Sequence, residues 1–183
     1  MKKFILCLLC FAVLFFSNDA SSAETEGIGM TLSVFTANLK TAARKVEYPL
    51  SEKRIDNDIL SFGNGGFAID YNEYIQMFFY SVPGTKTLKN AAVSYTIAQR
   101  EARPQQHFGR VMPDADDEFE SLCQQVIISV EPQTQPKEAK ELLRTLGIRG
   151  PALDGKQRQV RRGGLAYIMK LQGGSLLMVV SGI

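Results

Sequence analysis

Seventeen residues, Asp114 to Val130, restrict the possible folds of this chain more than any other stretch. They open on an acidic turn (Asp114, Asp116, Asp117, Glu118) and then place Phe119, Leu122, Cys123, Val126, Ile127 and Val130 at alternating steps of three and one. That spacing sets six apolar side chains on one stripe of a helix, which predicts an element packed on a core. Burying each large side chain of such a stripe contributes about 1.5–3 kcal/mol before chain entropy is subtracted. The flanking segments read as strands, and a strand-rich chain needs such a helix to cover one face of its sheet.

The N-terminus has the pattern of a targeting signal. Lys2 and Lys3 precede an apolar run from Phe4 to Phe16, and Ser21-Ser22-Ala23 supplies the small residues a signal peptidase reads. The run is shorter than the roughly 20 residues a bilayer-spanning helix requires. Residues 1–23 are therefore expected to be a cleaved signal peptide, with cleavage near Ala23/Glu24. Residues 24–183 are expected to form a single α+β domain, secreted or periplasmic, with no stable membrane insertion once the signal is removed. Cys7 and Cys10 follow Leu6 and Leu9 rather than small residues, which disfavours a lipid anchor. Cleavage takes the 21 basic and 19 acidic side chains to 19 and 18, a net charge of +1. A balance so near zero gives no general attraction to nucleic acid. Cys123 alone among the three cysteines would remain, so no intramolecular disulfide is expected.

Past a polar lead (Glu24–Gly29), Leu32, Phe35, Leu39, Ala43 and Val46 predict a first helix, capped near Thr31 and stopped by Pro49. The period then changes to that of strands. Ile59–Phe62 and Phe67–Tyr71 flank the turn Gly63-Asn64-Gly65-Gly66. Tyr74–Val82 is apolar or aromatic on both faces, as a central strand is, and Val93, Tyr95 and Ile97 alternate with polar residues. After the central helix, Pro136 starts another, with Ala139, Leu142, Leu143 and Leu146 on its stripe and Gly147 as its left-handed stop. Gln157–Arg162, Leu165–Leu171 and Ser175–Ser181 then read as strands joined at Gly163-Gly164 and Gly173-Gly174.

The expected fold is an antiparallel sheet of five to seven strands with two or three helices on one face. The elements come as one helix, three or four strands, two helices, then two or three strands. This order is similar to that of secretion-chaperone-like α+β folds, a likeness of topology that implies no activity.

No motif carries chemistry. Cys123 lies on the apolar stripe, where a thiol behaves as a small hydrophobe. His107 is the only histidine and lies in the aperiodic stretch Arg100–Pro113 with Arg100, Arg103 and Arg110, so neither a metal site nor a cofactor is expected. The acidic turn at Asp114 lacks the ligand spacing of a calcium loop. The glycine turns lack the order of a phosphate-binding loop.

Two features ask for a partner. Tyr74, Phe78 and Tyr80 share one side of a pleat and need a cover, and Lys156, Arg158, Arg161 and Arg162 form a basic patch on a hairpin. The function expected is a non-catalytic interaction domain that binds a protein partner through one of these surfaces. A carrier of a small apolar ligand is the second reading, and a hydrolase using His107 the third.

Overall fold

A computed structural model describes residues 27–97, 115–149 and 155–183. The proposed signal peptide, the Arg100–Pro113 stretch and His107 lie outside the described residues. The described residues form one seven-stranded antiparallel sheet with four helices, so the α+β expectation holds. In chain order the elements are α1 (Leu32–Ala43), α2 (Glu52–Asn57), β1 (Leu60–Gly63), β2 (Gly66–Asp70), β3 (Ile75–Ser81) and β4 (Leu88–Thr96). They are followed by α3 (Ala115–Val130), α4 (Pro136–Thr145), β5 (Arg158–Arg162), β6 (Leu165–Gln172) and β7 (Ser175–Gly182). The sheet order is β1-β2-β3-β4-β7-β6-β5. Two meanders meet where the last strand, β7, lies against β4, and the doubly apolar β3 and β7 are interior strands as their composition requires.

Local chemistry fixes the joints. Gly163 and Gly164 (φ 59° and 78°), like Gly173 and Gly174 (φ 58° and 78°), take the left-handed conformation that tight hairpins need. Thr31 caps α1 through its hydroxyl, which accepts from the Val34 amide at 3.3 Å. Pro136 opens α4, and Gly147 (φ 73°) ends it with the Ile148 amide donating back to Leu143 O at 3.1 Å.

Three details depart from expectation. The six-residue helix α2 carries a single buried apolar side chain, Ile55, and so shows no periodic stripe in the sequence. The end of the lead, whose polar composition predicts disorder, is anchored from Ile28 on, because the Ile28 amide donates to Leu88 O at 2.7 Å and Leu88 N to Met30 O at 2.8 Å, with Ile28 buried. Finally, α3 is covered on its polar flank as well as on its stripe. Ser121, Gln125 and Ser129 are all buried, four residues apart.

That polar flank ties down the segment leaving α1. Gln125 Nε2 donates to Leu39 O (3.0 Å) and Leu50 O (3.1 Å), while its Oε1 accepts from Leu50 N (2.8 Å). Ser121 Oγ accepts from Tyr48 N at 2.9 Å, and Asn38 Nδ2 donates to Ser129 O at 2.9 Å. The stripe meanwhile rests on the sheet, where Phe119 meets the Tyr95 ring of β4 at a centroid distance of 5.5 Å.

At the other end of α3, Arg149 Nε donates to Glu120 Oε2 at 2.7 Å, its guanidinium also reaches Asp117, and Lys140 approaches Glu120 at 3.6 Å. The Glu120 side chain is only 6% exposed, so these partners replace most of the water its carboxylate would otherwise meet. Arg149→Ala is expected to lower stability by about 1–2 kcal/mol, since a mostly buried carboxylate loses its closest cation. Urea denaturation of the variant measures this.

Candidate functional site

Strand alternation decides which candidate residues share a surface. On the helix side, Met77 and Phe79 of β3, Val93 and Tyr95 of β4, Tyr167 and Met169 of β6, and Met178 and Val180 of β7 join the buried side chains of all four helices in one core. On the opposite face, Ala68, Phe78, Tyr80, Ala92 and Val179 form a second, smaller cluster flanked by Phe62 and Ile168.

The three aromatic candidates therefore separate. Phe78 and Tyr80 belong to the second cluster and are 2% and 8% exposed, and Phe62 meets Tyr80 edge-on at 5.7 Å. Burial raises the Tyr80 phenol above its usual pKa. Tyr74, expected on the same side of the pleat, belongs instead to the helix-side core, where it packs edge-on against Tyr95 at 6.3 Å. The cause is local. Asn72 Oδ1 accepts from both Tyr74 N (3.1 Å) and Ile75 N (2.8 Å), so Tyr74 stands in a side-chain-closed turn before β3 begins its alternation at Ile75. Tyr74, Phe78 and Tyr80 are all buried and do not make one exposed aromatic surface.

The basic candidates lie on β5, which among the described residues is an outermost strand paired with β6. The register splits them. Val160 pairs with core Tyr167, so its alternating neighbours Arg158 and Arg162 lie on the helix side of the sheet. Arg161, opposite Ala166, lies on the other face with Gln159. Arg162 is half engaged, because its Nε stands 3.3 Å from Glu131 Oε2 and its Nη2 donates to Thr134 Oγ1 at 2.8 Å. The Tyr167 hydroxyl sits beside the same carboxylate without a well-formed hydrogen bond. Burial first, and then Glu131, raises this phenol far above its usual value, with Arg162 acting in the opposite sense. Glu131 also closes on the hairpin turn, for a Cβ on Gly163 would stand 2.8 Å from its Oε1. Arg161 is exposed and enters no ion pair among the described residues, and Lys156 and Gln159 are exposed on the same segment.

The remaining chemistry is quiet. Cys123 is fully buried, and burial followed by the nearby Glu120 charge raises its thiol well above the ordinary value. In the folded protein the thiol is expected to resist Ellman's reagent at pH 8 and to react once the chain is denatured. Reaction at the rate of a small-molecule thiol under native conditions would contradict that placement. Among the described residues no three His, Cys, Asp or Glu side chains are grouped to hold a metal ion, and no helix is long and apolar enough to cross a membrane.

No protein-family model, curated protein or solved structure matches this chain.

Proposed function

We propose that this chain is a non-catalytic domain, exported by its N-terminal signal, that binds a protein partner along the β5 edge of its sheet. The observation that carries the reading is a strand, outermost among the described residues, whose three exposed side chains are Gln159 and the cationic Arg161 and Arg162. Residues 156–162 hold Lys156, Arg158, Arg161 and Arg162 with no acidic residue among them, in a chain whose formal net charge is only +2. A sheet edge offers backbone hydrogen bonds for affinity, and fixed charges beside it steer and select the partner. The carrier reading has less support. The layer between sheet and helices, where cargo would sit, is occupied by Phe35, Phe79, Phe119, Leu122 and Tyr167, each no more than 1% exposed.

The test places a photoreactive residue at Gln159 and, as a control, at exposed Lys53 of α2, in the chain expressed in its own host. The proposal expects a protein adduct of one defined mass from position 159 and none from position 53. No adduct at 159, or equal adducts at both positions, would contradict it.

A further inference from the structure

We infer that the partner supplies an extended acidic segment that adds to β5 as an eighth strand, an inference that rests on the β5 reading above and names the chemistry of its ligand. Gly163-Gly164 is a two-residue loop, and in such a hairpin the flanking residues exchange both of their backbone hydrogen bonds. Arg162 and Leu165 are that flanking pair, so Arg162, Val160 and Arg158 direct their backbone groups toward β6. The N–H and C=O of Gln159 and Arg161 consequently point away from the sheet, and both residues are exposed. An added strand would hydrogen-bond to these two residues.

Side-chain placement then selects the strand. Arg161 projects from one face of the edge, and Arg158 and Arg162 from the other, so an incoming strand meets guanidinium groups on both of its faces. Carboxylates at alternating positions would lie beside Arg161, and those at intervening positions beside Arg158 and Arg162. The Glu131–Arg162 pair shows that a carboxylate already fits at the end of this row. A basic partner strand would be repelled, and an apolar one would leave Arg161, which enters no ion pair among the described residues, without counter-charge. The opposite edge differs. The sequence of β1, Leu60–Gly63, is Leu-Ser-Phe-Gly, with no charge and with Leu60 64% exposed, so it has no comparable means of selecting by charge.

The experiment uses the chain isolated from its host and synthetic peptides of alternating glutamate and valine. Two further versions carry N-methyl groups on one or the other set of alternate backbone amides, and a fourth replaces glutamate with lysine. The inference expects the glutamate peptide to bind and to slow hydrogen exchange at the Gln159 and Arg161 amides. One N-methylated version should bind like the parent and the other should fail, because only one set of amides faces β5. The lysine peptide should not bind, and Arg161→Glu should weaken binding at least about tenfold, the equivalent of one well-placed charge interaction. Equal binding or equal failure of the two N-methylated versions would overturn strand addition. Binding of the lysine peptide would overturn the charge selection. Failure of the glutamate peptide, with the adduct at position 159 still formed, would overturn this inference and leave the protein-binding reading standing.

Discussion

Replacing Gln125 with leucine is expected to cost about 3–5 kcal/mol of folding free energy, although the new side chain is apolar, similar in size and placed in a fully buried position. The reason lies in what the amide holds. Leu50 N–H, Leu50 C=O and Leu39 C=O each bond to Gln125, and leucine would leave all three without those partners in a site from which water is excluded. A buried polar group stripped of its partner costs about 1–3 kcal/mol. Gln125→Glu is expected to be damaging as well, since a carboxylate accepts from Leu50 N but cannot donate to either carbonyl and brings a buried charge. Gln124→Ala, one position away at a half-buried site, should change stability by less than about 0.5 kcal/mol. Urea midpoints of the three variants decide the matter. A Gln125→Leu protein as stable as the parent would show that the segment from Leu39 to Leu50 is held by packing alone.

Phe119→Ala is expected to cost a similar amount, about 3–5 kcal/mol, through a different mechanism. Phe119 is 1% exposed and fills the space between α3 and the Tyr95 ring, which in turn meets Tyr74. Truncation removes the transfer energy of the ring and leaves a void that the close-packed neighbours cannot fill. Phe119→Leu, retaining most of the volume, should recover more than half of the loss. Thermal unfolding monitored by near-ultraviolet circular dichroism, which reports the tyrosines around the void, is the suitable measurement. Equal losses for alanine and leucine would point to a requirement for the ring itself rather than for volume.

These two residues mark what the sequence reveals and what it conceals. The Phe119–Val130 stripe is legible because apolar residues at helical spacing have one usual outcome, burial on one face. The Ser121, Gln125 and Ser129 flank has a helical spacing too, but polar residues at that spacing usually mean solvent, and only the tertiary arrangement shows the backbone groups of Leu39, Tyr48 and Leu50 meeting Ser121 and Gln125, while the Ser129 hydroxyl donates back to Gln125 O. The short α2 escapes for a related reason, since one apolar residue, Ile55, has no period. Tyr74 falls on the helix side, against the alternation that continues from Phe78 and Tyr80, because β3 begins at Ile75, after the turn closed by Asn72. The sequence marks Asn72-Glu73 as a turn, but not that the Asn72 side chain, three residues before β3, closes it past Tyr74. The arginine split was also available. Residues 158, 161 and 162 in a strand cannot share one face, whereas their common edge becomes visible only when β5 is seen to end the sheet. The need of Phe78 and Tyr80 for a cover is legible in the apolar pleat, whereas whether the chain itself or a partner supplies that cover is not, because the pattern is the same in both cases.

Native mass spectrometry decides whether β5 binds a protein partner. The chain, purified gently from its own host as wild type and as Arg161→Glu, would be sprayed from low-salt buffer so that charge contacts survive. The wild type should retain an additional mass of protein size that the variant loses, with the variant's own mass and charge-state distribution showing a folded chain. A bare wild-type monomer, a bound species of only a few hundred daltons, or a protein partner retained equally by the variant would contradict the claim.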